Sequence, residues 1–173
     1  MNHLLKAISE ANNFLLKETD IHNALQNCIT ALGSNIKINR CYIFKNEIKN
    51  GELILNYEYE WCCKNTIPFI GSPDLNGHTY DAFPGLYEPL SQNKPIYGLV
   101  KDNSNDYFRE IMEMQDIKAY LFTPIFSEDF FWGWIGFDDC ENERKWTNEE
   151  VNVLHTVAHN IGLRLNQNKI RLE

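Results

Sequence analysis

The sequence predicts an α+β domain in which a mostly antiparallel sheet is flanked by helices. Three observations carry this expectation. The N-terminal segment repeats apolar residues at helical spacing, the middle changes to a period of two around Asn50-Gly51, and the last segment returns to a helical rhythm after a capping box. No internal repeat or low-complexity linker divides the 173 residues. They are therefore read as one domain, with helices over 1–34, sheet and crossover over 39–139, and a terminal helix over 147–172.

Leu4, Ile8, Ala11 and Leu15 recur at spacings of four, three and four, which puts them on one face of a helix. Thr19 or Asp20 can cap a second helix whose stripe is Ile21, Leu25, Cys28 and Leu32, and Gly33 is placed to stop it. Cys41-Tyr42-Ile43-Phe44 is rich in strand-favouring residues. Leu53, Leu55, Tyr57, Tyr59 and Trp61 then alternate with a mostly polar set, so they are expected on the single buried face of a strand. Asn50 and Gly51 both tolerate positive φ, and they predict a hairpin between the two segments.

Residues 63–98 have a different character. Five of the six prolines fall between Pro68 and Pro95, with Gly71, Gly77 and Gly85 among them, so a long crossover is expected with a short helix near 85–93. Phe69, Tyr80, Phe83 and Tyr87 need something to bury against and argue that it is ordered. A short strand over Pro95–Val100 and a helix over Asp106–Met114 follow. Two strands, Lys118–Phe126 and Phe130–Asp139, are joined across Ser127-Glu128-Asp129. Thr147 and Glu150 form a capping box, with Trp146 and Val151 placed as its hydrophobic staple. Val151, Leu154, Ala158, Ile161 and Leu165 make a heptad-like stripe, which suits either a helix-to-helix dimer contact or a helix packed on a sheet.

Composition narrows the function. The chain is 43% hydrophobic and 13% aromatic, enough for a buried core, and its net charge of −8 opposes binding to nucleic acid or anionic membranes. It has no apolar run of membrane-spanning length, and its start, MNHLLKAISEANN, lacks a signal-peptide pattern, so a cytoplasmic location is expected. Cys28, Cys41, Cys62, Cys63 and Cys140 are odd in number and lack CxxC spacing, which reads as free thiols. No metal and no cofactor is expected.

The stretch WGWIGFDDCENERKWTNEEVNVLHTVAHNIG at 132–162 resembles the C-terminal half of a GAF domain. NRCYIF at 39–44, YEWCCKN at 59–65 and IKAYLFTPIF at 117–126 agree in order, so the resemblance spans nearly the whole chain. It is closest to GAF modules of bacterial and archaeal sensor histidine kinases and related signalling proteins. The resemblance implies a central antiparallel sheet with the terminal helices on one face, often forming a homodimer interface. It implies a pocket on the other face, closed by the crossover, and a regulatory role in which ligand state passes through the terminal helices to an effector. The chain lacks the asparagine-lysine-phenylalanine-aspartate-glutamate signature of cyclic-nucleotide GAF domains and an evident bilin-attachment cysteine. It also lacks the phospho-acceptor and ATP-binding blocks of a kinase, so it is expected to be a non-catalytic module cut from, or acting with, a larger signalling protein.

An unidentified small molecule is the expected ligand. Trp61, Tyr80, Asp81, Phe83, Tyr120, Trp132, Trp134 and Asp138 are the candidate ligand-binding residues, because pockets combine apolar walls with a few polar groups. Strand parity puts Trp132, Trp134, Gly136 and Asp138 on one face, taken as the pocket face, and Phe131, Gly133, Ile135 and Phe137 on the other. Asp139, Arg144 and Trp146 are read as a structural corner, with a carboxylate on Arg144 and the indole beneath. His155 and His159 have the spacing of a metal-binding pair but no evident third ligand, so they are read as surface or packing histidines. Two further functions remain open: a ligand-free dimerising relay carried by the Val151–Leu165 stripe, and a thiol enzyme of the free methionine sulfoxide reductase type using Cys62, Cys63 or Cys140.

Overall fold

The computed structural model describes residues 2–172. Asn2 opens α1 (His3–Lys17) by accepting the Leu4 N–H, and Asp20 opens α2 (Ile21–Ile36) by accepting the Asn23 N–H at 2.9 Å. Helix α2 does not stop at Gly33. It continues to Ile36 and ends on Lys37 in the left-handed region at φ 61°. Gly33 serves packing instead: a Cβ there would lie 2.1 Å from Cε3 of Trp61, so only glycine lets the indole lie against the helix backbone.

Strands β1 (Arg40–Lys49) and β2 (Glu52–Cys62) turn across Asn50 and Gly51, at φ 52° and 80°, the geometry the dipeptide favours. The crossover contributes β3 (His78–Thr79), α3 (Tyr87–Ser91) and β4 (Ile96–Leu99), and leads into α4 (Asp106–Met114). Strands β5 (Ala119–Ser127) and β6 (Phe130–Asp139) form the second hairpin, before α5 (Asn148–Leu172). All pairings are antiparallel, and the six-stranded sheet has the order β3-β2-β1-β6-β5-β4.

The sheet separates two cores. On one face Cys41, Ile43, Leu121, Ile125, Ile135 and Phe137 pack against α1, α2 and α5. On the other Tyr42, Phe44, Leu55, Tyr57, Phe122 and Trp134 pack against the crossover and α4. Two bulges decide which side chains reach which core. On β2 the register slips at Glu58, between the pairs Ile43↔Tyr59 and Phe44↔Tyr57. Leu55 and Tyr57 therefore face α4, whereas Tyr59 and Trp61 face the helical layer, and the expected single apolar face is divided. On β6 the slip falls at Trp132, because Phe126 pairs with Phe131 and Ile125 with Gly133. It moves Phe131 to the α4 side and Trp132 to the helical side, reversing the parity expected for both.

Helix α5 begins with the predicted capping box: the Glu150 N–H donates to Thr147 Oγ1 at 3.1 Å, and the Thr147 N–H to Glu150 Oε1 at 3.0 Å. Val151, Leu154, Ala158 and Ile161 are buried against the sheet and Leu165 packs at its edge. The stripe is thus taken up by the sheet and is not free to serve as a dimer face, because a helix on a sheet demands the same periodicity. Arg164 is buried and donates to the carbonyls of Leu15 at 2.7 Å and Thr19 at 3.1 Å, tying α5 to the α1–α2 corner.

Gly162 sits where α5 crosses β5, and a Cβ there would lie 1.8 Å from the Phe126 carbonyl oxygen. Helix propensity alone would favour Gly162→Ala by about 1 kcal/mol. The clash with backbone is expected to reverse the sign and leave a net loss of about 1–3 kcal/mol in urea unfolding. A more stable variant would refute this close approach.

Candidate functional site

The α4 side of the sheet is paved with aromatic rings. Trp134 stacks on Phe44 at 4.5 Å between centroids and meets Phe122 at 4.7 Å; Tyr57 meets Phe44 edge-on at 4.9 Å. Leu75, Phe83 and Leu86 from the crossover and Phe108, Ile111 and Met112 from α4 form the opposite wall. Between the layers lies a cavity of about 40 Å³. Two larger grooves open beside it. One, about 520 Å³, runs between the crossover and α4 past Ser72, His78 and Tyr107. The other, about 570 Å³, lies between the end of α4 and Arg40, Lys64 and Cys140. Gln115, which caps α4, borders all three spaces.

A buried charge cluster stands at the cavity end of β1, β2 and β6. Arg40 Nη1 donates to Asp138 Oδ2 at 3.1 Å, and the Tyr42 hydroxyl donates to Asp138 Oδ1 at 2.8 Å. The Tyr57 hydroxyl donates to Glu60 Oε2 at 2.6 Å, and the backbone N–H groups of Phe69 and Ile70 also point at the Glu60 carboxylate. Arg40 Nε lies 4.0 Å from Glu60, the guanidinium lies 4.8 Å from the Phe69 ring centroid, and Nη2 donates to the Ile67 carbonyl. Burial raises the pKa of Asp138 to about 6, outweighing the pull of Arg40 and the Tyr42 hydrogen bond. Burial, and then the neighbouring carboxylates, hold both tyrosines well above their ordinary range, so each keeps its proton and acts as a donor. The cluster pins the loop carrying Ile67–Ile70 to the sheet, and its Tyr42 and Tyr57 members line the cavity.

The candidate residues divide accordingly. Phe83 and Trp134 line the cavity. Tyr80 and Tyr120 lie on the same side: Tyr80 donates to Asn46 Oδ1 at 2.6 Å, and the Tyr120 hydroxyl accepts from Asn103 Nδ2 at 3.1 Å. Asp138 belongs to the charge cluster. Trp61 and Trp132 do not belong to the site, because the two bulges turn them to the helical layer, where Trp61 covers Gly33 and Trp132 lies beneath Lys45. Asp81 is exposed on a 3-10 turn and lines no cavity wall.

The corner also differs from expectation. Asp139 Oδ1 accepts the N–H groups of Glu141 and Asn142, and so caps its own turn rather than meeting Arg144. Arg144 pairs with Glu150, donates to the Ile36 carbonyl at 3.1 Å, and lies 4.4 Å over the Trp146 ring.

Arg40, Tyr42, Phe44, Tyr57, Glu60, Phe108 and Phe122 are site residues that sequence reasoning missed. Arg40, Tyr42 and Phe44 share one parity with a charge at its head, a pattern visible in the sequence. Glu60 had no local signal, since the bulge at Glu58 alone turns it inward.

The GAF domain family model matches residues 20–165. The chain is 38% identical over 162 residues to the methanogenesis regulatory histidine kinase FilI of Methanothrix harundinacea (strain 6Ac), covering 93% of this chain and 18% of that protein. It is 20% identical over 174 residues to the circadian input-output histidine kinase CikA of Thermosynechococcus vestitus (strain NIES-2133 / IAM M-273 / BP-1), covering 97% of this chain and 24% of that protein. The chain therefore spans only a small part of the length of these curated relatives. Among solved structures, the phycoerythrobilin-bound GAF domain from a cyanobacterial phytochrome superposes with a TM-score of 0.84 at 14% identity, covering 99% of this chain and 98% of that one, which is a likeness of fold. Fold, sequence blocks and family match agree from α2 into α5: the chain belongs to the GAF domain family.

Proposed function

We propose that the chain is the sensory module of a signal-transduction protein, taking a small organic molecule between the sheet and α4 and passing its state to an effector through α1 and α5. The observation that carries this is the aromatic cavity, closed on one side only by a crossover and a short helix. At about 40 Å³ the cavity holds a few waters at most. Sites for metabolite-sized ligands are about 300–1,000 Å³, so binding requires α4 and the crossover to move outward. Displacing α4 at Gln115 would merge the cavity with its flanking grooves. The Trp134 indole N–H lies beside the Tyr80 hydroxyl, which itself donates to Asn46, so the aromatic wall is braced from behind by polar groups.

The bilin named for the structural neighbour is not carried over to this chain, in which the stacked rings of Phe44, Trp134 and Phe122 occupy the space beneath α4. The module is assigned no catalytic step. Burial, followed by Asp138, pushes the Cys140 thiol up to about 12, and burial, followed by Glu60, pushes Cys62 up to about 11, so neither supplies a thiolate near neutral pH. A kinase or other effector in the same signalling protein, and a cytoplasmic setting, complete the proposal. Among the described residues no helix is long and apolar enough to cross a membrane.

Mass spectrometry of the denatured protein for co-purified small molecules, then thermal shift against a metabolite library, tests the proposal. A ligand at a hundred times its dissociation constant is expected to stabilise the fold by about 2.7 kcal/mol. Met112→Trp, which fills the cavity, should abolish that shift. No hit at millimolar concentration, or a hit untouched by Met112→Trp, overturns the assignment.

A second reading, a ligand-free dimerising relay, rests on a separate observation. Leu163 and Ile170 on α5, one heptad apart, are 62% and 61% exposed, and Leu5 and Leu16 are exposed on α1. If these residues form a homodimer, Leu163→Glu with Ile170→Glu converts it to monomer in light scattering. A wild type that is monomeric at tens of micromolar refutes this reading.

A further inference from the structure

His155 and His159 stand one turn apart on α5, and Asn93, from the loop after α3, reaches across to both. His155 Nε2 lies 3.0 Å from Asn93 Oδ1, His159 Nε2 lies 3.4 Å from the same oxygen, and the two ring centroids are 4.4 Å apart. We propose that these three side chains form a binding site for a divalent transition-metal ion of the imidazole-preferring class: zinc, nickel or copper.

Donors held roughly 2.1 Å from one ion lie about 3.0–3.4 Å apart along an octahedral or tetrahedral edge. Both N···O separations lie in that range, so the three side chains converge closely enough to share one ion. Without a metal the Asn93 amide can bridge the pair, Oδ1 accepting from His155 Nε2–H at 3.0 Å and Nδ2 donating to His159 Nε2 at 3.3 Å. A bound ion would replace this bridge, each imidazole offering a lone pair and the amide its oxygen. The scaffold is set beforehand: Asn93 sits in the left-handed region at φ 61°, and its N–H donates to the Leu90 carbonyl at 3.0 Å. His159 and Asn93 are exposed and His155 is half-buried, so water can complete the shell. Magnesium and calcium, which prefer oxygen shells, are excluded by the two nitrogen donors. The bound ion would join α5 to the crossover that lids the aromatic cavity.

Zinc titrated into the whole chain, followed by calorimetry and by the imidazole NMR signals, tests this site. One equivalent is expected to perturb His155 and His159 and no other histidine. His155→Ala and His159→Ala should each weaken binding about tenfold or more, and Asn93→Asp, which adds a carboxylate, should strengthen it. His159 and Asn93 are exposed, so their variants keep the fold, and urea unfolding of His155→Ala, whose site is half-buried, checks that its loss of binding is not a loss of folding. If the wild type takes up no zinc at micromolar concentrations, or if the His155→Ala/His159→Ala double variant binds it as tightly as wild type, the site does not exist.

Discussion

Arg40→Met is expected to cost about 3–5 kcal/mol of folding stability at neutral pH, because it leaves carboxylates buried without their cation. Arg40 and Asp138 are 2% and 1% exposed at the side chain and Glu60 is 3%, so water cannot replace the guanidinium. The loss should depend on pH with a defined sign. In the wild type the folded pKa of Asp138, about 6, lies above its ordinary value of 3.8. The folded state therefore holds that proton more tightly than the unfolded state. The associated stability is complete below about pH 4 and declines as pH rises to about 6, by an amount on the order of 1–3 kcal/mol. Removing Arg40 removes the attraction that opposes burial, so the Asp138 pKa rises further and the decline extends to higher pH. Urea unfolding from pH 5 to 8 should show the gap between wild type and Arg40→Met widening as pH rises. Asp138→Asn in the Arg40→Met background should recover part of it. A small, pH-independent loss would mean that the cluster is solvated in solution.

What the sequence disclosed about this molecule followed the range of the forces involved. Asn50-Gly51, the Thr147–Glu150 box and the span of α4 were legible because the chemistry deciding them lies within a few residues. The α+β class and antiparallel sheet were legible because two periodicities alternate along the chain. The site was legible only in part. Trp61 and Trp132 were misplaced by bulges opposite Ile43–Phe44 and Ile125–Phe126, where the slip is set by the pairing of two strands and not by either sequence. The same slip hid Glu60, which reads as an exposed strand residue until Glu58 is bulged out. Arg144 was given the wrong carboxylate for a related reason. Asp139 is nearer in sequence to the turn it caps, which leaves the arginine to Glu150. The His155–His159 pair lacked a third ligand in the sequence because Asn93, the residue that meets it, is more than sixty positions away.

Trp134→Ala is expected to be comparably severe, at about 3–5 kcal/mol, and it separates packing from ligand binding. The indole is 2% exposed and touches Phe44, Phe122 and Tyr42, three residues on the two strands flanking β6. Its loss takes ring contacts from both neighbours at once and leaves a void continuous with the existing cavity. Collapse is opposed because β1, β6 and β5 hold the surrounding Cα positions through their ladder hydrogen bonds. A void that cannot collapse is a binding site for what was removed: apolar cavities of about 150 Å³ take up small aromatic molecules. Indole at millimolar concentration should therefore raise the melting temperature of Trp134→Ala more than that of wild type, in which the Trp134 ring already fills that space. A loss below about 1 kcal/mol would mean that α4 closes over the gap, since buried tryptophans truncated without collapse cost several times more. In that case the lid is already mobile enough to follow its contents, and the motion proposed for ligand entry would be observed directly. A full loss with indole rescue would instead describe a rigid aromatic chamber, in which α4 opens only when a ligand supplies the energy to displace it.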